Sequence, residues 1–146
     1  MLEQFEQVGR AIADSSRLRI LKLLEPEELC VCQITAVLGL APATVSKHLS
    51  VLKAAGLIAR RKAGRWIYYR LAERATNPYA PAVQALVRDV LGEDGIVALD
   101  RRKLAKVKEV SVEVLCAKDA PALDFVFTVC DNARGTVRDA ADSRDI

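Results

Sequence analysis

Residues 41–71 read APATVSKHLSVLKAAGLIARRKAGRWIYYRL, and the fold is decided here. Pro42 and Thr44 open a helix that runs to about Ala55, and Gly56 closes it; proline suits a first helical turn and glycine the position just past a last one. Val45, Leu49 and Leu52 recur at i, i+4 and i+7, which lays them on one inward face. The opposite face carries Thr44, Ser46, Lys47, His48, Ser50 and Lys53. After Gly56 the period shortens to two. Residues 57–62 and 65–71 read as strands, with Ala63-Gly64 as the turn of a hairpin whose tip is basic.

Working outward, residues 29–38 form a short helix ended by Gly39. Two short helices, a glycine turn and a polar-faced second helix make a helix-turn-helix, and the hairpin is its wing. Upstream, Asp14-Ser15-Ser16 is an N-cap cluster for a helix with Leu18, Leu21 and Leu24 in one stripe, stopped at Glu25-Pro26. A first helix over 2–13 repeats Leu2, Phe5, Val8, Gly9 and Ile12 at helical spacing. Downstream, Asn77-Pro78 and Pro81 punctuate the chain before helices over 82–91 and 96–107. Residues 110–115 and 125–129 read as isolated strands, and the last eleven residues, TVRDAADSRDI, as unstructured. The expected fold class is mainly α with a small β-hairpin. The expected division is a DNA-binding and dimerisation domain over 1–108 and a C-terminal extension over 109–146.

Charge supports a polyanion partner. Residues 41–74 hold Lys47, Lys53, Arg60, Arg61, Lys62, Arg65, Arg70 and Arg74 against the single acid Glu73, within a chain whose net charge is only +3. A merely solvated face usually mixes signs, so this concentration marks a nucleic-acid surface. No stretch approaches the roughly 18 apolar residues of a membrane span, and the polar N-terminus lacks the layout of a signal peptide. The expected location is the cytoplasm, with no membrane partner. There the four cysteines are expected as reduced thiols.

Together with the order of elements, the segments GRAIADSSRLRILKLL (9–24), ELCVCQI (28–34) and PATVSKHLSVLKAAGLIARRKAGRWIYYRL (42–71) resemble the ArsR/SmtB family of metal-responsive winged-helix repressors, over residues 5–95. The resemblance implies a homodimer on a palindromic operator, repressing a resistance operon until arsenite or a similar ion binds. A twofold repressor fits two half-sites about one DNA turn apart, with the first helix and the helices over 82–107 as the interface. On DNA, Ser46, Lys47 and His48 are expected in the major groove, with Thr44 near the helix start. Arg60, Arg61, Lys62 and Arg65 of the wing are expected on phosphate or in the adjacent minor groove. Trp66, Ile67, Tyr68 and Tyr69 are core first.

ELCVC resembles the inducer site of the arsenite-responsive members, which implies Cys30 and Cys32 as metal ligands. Soft thiolates select thiophilic ions: trivalent arsenic, with antimonite or cadmium as alternatives. Side chains at i and i+2 of a regular helix diverge by about 200°. Both cysteines therefore reach one ion only from a frayed first turn or by pulling the helix out of shape, which would disturb the neighbouring recognition helix. Family members give arsenic three sulfurs, and Cys116 is the expected third donor, from either subunit, with Cys130 next. Without a third, the two-thiolate site suits an organoarsenical. Small apolar cysteines also pack in cores, and a Cys30–Cys32 disulfide, the basis of a thiol redox-sensing repressor, ranks third because close spacing strains it. The family's zinc chemistry is not expected, since the only histidine is His48 and 82–91 offers only Asp89.

A shorter stretch, AKDAPALDFVFTVCDNARG (117–135), resembles a strand-and-loop piece of thiol-dependent arsenate reductases. Those enzymes need a Cys-X5-Arg loop. Six residues after the four cysteines stand Ala36, Leu38, Ala122 and Thr136. The extension thus reads as a non-catalytic fusion remnant, and the chain as no enzyme.

Overall fold

A computed structural model describes residues 1–74 and 76–116. Seven helices and three strands follow one another among them: α1 (Leu2–Ile12), α2 (Ser15–Leu24), β1 (Leu29–Cys30), α3 (Val31–Leu38), α4 (Pro42–Ala54), β2 (Ile58–Ala63), β3 (Trp66–Leu71), α5 (Ala80–Asp89), α6 (Gly95–Val107) and α7 (Val112–Leu115). The chain is mainly α with a small β element that forms the wing of a winged helix-turn-helix.

Local chemistry accounts for most boundaries. The Asp14 carboxylate accepts the Arg17 N–H at 3.1 Å and starts α2. Gly39, at φ +67°, ends α3 in the left-handed conformation that costs glycine least. Asp94 caps α6 by accepting from Ile96 and Val97. The apolar stripe of α4 behaves as its spacing requires: Val45, Leu49 and Leu52 are buried, against Ile20, Leu21, Leu23, Ile34, Val37 and Leu38 of α2 and α3. Each such side chain contributes roughly 1.5–3 kcal/mol of burial.

Two long-range polar ties brace the helices. Lys22 is buried on α2, and its ammonium donates to the carbonyls of Val87, Arg88 and Val90 at 3.0, 3.3 and 2.8 Å. A cation there satisfies carbonyls that the end of α5 leaves unpaired. Arg19 grips Asp100 of α6 through both Nε and Nη2, at 2.8 and 2.9 Å.

The structure differs from the sequence reading at four places. Residues 29–30 are not the first turn of α3 but strand β1, which turns the expected hairpin into a three-stranded sheet of order β1-β3-β2. Leu29 faces Tyr69 and Cys30 faces Tyr68, so the edge of β3 supplies hydrogen bonds that no local pattern announces. The turn is Gly64-Arg65, because Ala63 still pairs with Trp66. Residues 110–115 do not form a strand; Ser111 caps the short helix α7, whose Leu115 joins the common core. On α1, Leu2 and Phe5 stay exposed while Val8 and Ala11 are buried. The expected strand at 125–129, the arsenate-reductase-like stretch 117–135 and Cys130 lie outside the described residues.

Among the described residues no single helix is long and apolar enough to cross a membrane.

Candidate thiol site and nucleic-acid interface

Cys30 is the N-cap of α3, in extended backbone at φ −70° and ψ 146°, and its N–H donates to the Gln33 side-chain oxygen at 2.9 Å. The i, i+2 divergence of a regular helix therefore does not separate the two cysteines, because only Cys32 is within the helix. Cys116 arrives from the C-terminal end of α7, where its N–H bonds the Val112 carbonyl. Burial of Leu115 docks α7 on the common core and brings Cys116 to α3.

The result is a cluster of three sulfurs, all within 4.8 Å of one another. Cys30 Sγ lies 3.8 Å from Cys116 Sγ, and Cys116 is disulfide-bonded to Cys32, with Cα atoms 5.5 Å apart. Cys30 is buried and remains a free thiol, while Cys32 and Cys116 are half-buried. Once the Cys32–Cys116 bond is reduced, three soft donors converging from one chain can coordinate a thiophilic metal or metalloid ion. Two of the four cysteines expected as reduced thiols are thus bonded, and the pair is Cys32–Cys116, not Cys30–Cys32, because α7 packs against α3 and brings its sulfur to Cys32.

The residues expected on DNA fall into two groups. Thr44, Ser46 and Lys47 project from α4 into solvent. His48 is half-buried, and its Nδ1 lies 3.3 Å from Arg17 Nη1. Arg17 is itself anchored by the carbonyls of Ala11 and Arg10 at 2.8 and 3.0 Å. The backbone N–H of Arg17 holds the Asp14 carboxyl below the usual carboxylate range, opposed by partial burial and helped by the charges of Arg17 and His48. On the wing, Arg60, Arg61, Lys62 and Arg65 are all exposed. Arg65 stacks over Trp66 at 5.5 Å. Arg61 has an internal partner, Glu28, whose carboxyl the guanidinium hydrogen bond holds below its usual range. Neither Arg17 nor Glu28 carries a local signal; each is recruited by a residue 31 or 33 positions away.

Comparison with known proteins finds similarity in sequence and fold. The sequence model of the bacterial regulatory proteins of the arsR family fits residues 14–60. An arsenical resistance operon repressor of Escherichia coli K12 is 39% identical over 84 residues, covering 57% of this chain and 68% of the relative. The arsenic resistance transcriptional regulator ArsR1 of Pseudomonas putida is 38% identical over 86 residues, covering 58% of this chain and 63% of its own length. Among solved structures, the homodimeric winged helix-turn-helix DNA-binding domain Mb0332 of Mycobacterium bovis aligns at a TM-score of 0.53 and 37% identity, over 63% of this chain and 82% of that one. HlyU of Vibrio cholerae, also solved in a reduced form, aligns at a TM-score of 0.52 and 27% identity, over 61% of this chain and 92% of its own.

Proposed function

The chain belongs to the ArsR family of bacterial regulatory proteins, and on that premise we propose an arsenic-responsive repressor that binds operator DNA as a homodimer and leaves it when Cys30, Cys32 and Cys116 capture trivalent arsenic. As a family member it is a transcriptional regulator and not an enzyme. The observation that carries the arsenic reading is the convergence of three sulfurs within one chain. Arsenous acid offers three hydroxyls, and three reduced thiols displace them as three waters, so a thiol reductant must first open the Cys32–Cys116 bond, giving up two electrons and two protons and leaving as its own disulfide. Antimonite follows the same chemistry, and cadmium would take the same donors as thiolates. Thr44, Ser46, Lys47, Arg60, Lys62 and Arg65 are the proposed DNA contacts. His48 and Arg61, tied to Arg17 and Glu28, would contribute through position more than through free reach.

Exposed apolar residues support the dimer. Leu2 and Phe5 of α1, Leu86 of α5, Val90 and Leu91 between α5 and α6, and Ile96 of α6 are all exposed. They belong to the segments expected at the interface, and burying them against a second copy removes that exposure.

The test is operator binding by fluorescence anisotropy on the full-length reduced protein, titrated with arsenite, cadmium or zinc. Arsenite should release the parent protein. A Cys30→Ser, Cys32→Ser double variant should repress normally yet resist arsenite, by a factor within the roughly 5–150-fold range of allosteric couplings. Release at the parent's arsenite concentration defeats the reading. A second reading, a thiol redox-sensing repressor, is favoured by the Cys32–Cys116 bond itself. A hydroperoxide, taking two electrons from these thiols and leaving as alcohol and water, would then release DNA without arsenite. For residues 109–146 the proposal remains a non-catalytic extension; arsenate turnover by the full chain would refute it.

A further inference from the structure

We propose that Glu28 is a positioning residue that couples the thiol site to the wing, its bridge to Arg61 carrying ion capture at Cys30 into the hairpin. This deepens the arsenic reading and rests on it. Strand β1 is only two residues long, and it sets Cys30 opposite Tyr68 on one edge of β3. On the other edge Tyr68 faces Arg61 of β2. Directly opposed residues of antiparallel strands project to the same side of a sheet. Cys30, Tyr68 and Arg61 therefore make one row running from the buried thiol to the wing.

Side-chain contacts close that row into a ring. The Arg61 guanidinium lies 4.9 Å from the centre of the Tyr68 ring. Glu28, two residues before Cys30, takes the Arg61 Nε at 3.1 and 3.2 Å and Nη2 at 2.5 Å, with Arg70 Nη1 at 3.9 Å beyond. A two-point grip fixes orientation as well as distance. Two of the three sulfurs are bonded to each other, and two sulfurs that both ligate one ion cannot stay bonded, so rearranging the three around an ion after reduction must displace at least one of them. Cys30 is buried and its N–H is held by Gln33, so its movement is passed along β1 to Glu28 and across the sheet to Tyr68. When the bridge breaks, the wing loses the anchor that fixes its approach to DNA.

The experiment measures a release factor, the ratio of operator Kd with saturating arsenite to that without, on full-length reduced protein. Glu28→Gln and Arg61→Gln should each lower the release factor about two- to fivefold, the scale of a partly exposed ion pair. The double variant should go no further than either single, because both remove one interaction. Arsenite uptake, read from ultraviolet sulfur-to-arsenic absorbance, should keep the parent's stoichiometry. An unchanged release factor in both singles, or additive losses, overturns the coupling while leaving the arsenic reading intact. Loss of arsenite uptake in Glu28→Gln overturns it too, by placing Glu28 in the site itself. A parent protein that takes up arsenite yet stays on DNA overturns both.

Discussion

The proposed reading surface of α4 takes its residues from thirteen consecutive positions, whereas the thiol cluster takes one sulfur from β1, one from α3 and the third from 84 positions beyond Cys32. The first is a property of helical period: once Val45, Leu49 and Leu52 go inward, Thr44, Ser46 and Lys47 face outward. The second exists only if α7 docks. A surface set by local periodicity withstands changes elsewhere in the chain, while a site assembled across the fold responds to movement in any of its parts. A repressor needs the first quality in the element that reads DNA and the second in the element that senses.

This contrast can be broken most forcefully at Cys116. Cys116→Ser removes the distant sulfur and leaves the helix-turn-helix untouched. Operator binding should match the parent, while the arsenite needed for half-release should rise about tenfold, within the range of allosteric couplings. Equal arsenite sensitivity would mean that the site is the local Cys30, Cys32 pair alone.

Lys47→Ala addresses the other region. It should weaken operator binding severalfold without altering the fold by circular dichroism. If Lys47 meets phosphate, the salt dependence of binding should fall by about one unit. Unchanged binding would show that the outward face of α4 is not the reading face.

The smallest effect is expected at Asp14, where α2, Arg17 and His48 meet. Asp14→Ala removes an N-cap and should cost about 1 kcal/mol at neutral pH, read by denaturant unfolding. Because folding lowers the Asp14 pKa, the unfolded chain takes up the proton first. The stabilisation is therefore complete well above the unfolded value of 3.8 and disappears as pH falls through the folded value below it. A variant whose deficit stays constant down to pH 2 would contradict the cap.

The same division governs how far the molecule could be read in advance. Helices α2 and α4 were legible because each carries a cap or proline at its start and an apolar stripe at 3.6-residue spacing. Strand β1 was not: two residues are too few to show a period, and Leu29-Cys30 is a strand because it pairs with the edge of β3. Residues 110–115 alternate as a strand would, but Ser111 accepting the Val114 N–H and Leu115 entering the core favour one helical turn. Arg61 reads as one more wing cation until Glu28 is found against it.

Sequence by itself determined the winged helix-turn-helix, the concentration of basic residues over 41–74 and the candidacy of Cys30 and Cys32, because periodicity, capping and charge act between near neighbours. Only the tertiary structure decided that Cys30 belongs to a strand, that Cys32 meets Cys116 of the same chain, and that Glu28 holds Arg61. Those three depend on which surfaces of the folded chain meet. Burial of Leu115 and the open edge of β3 choose those meetings, and no spacing along the chain encodes them.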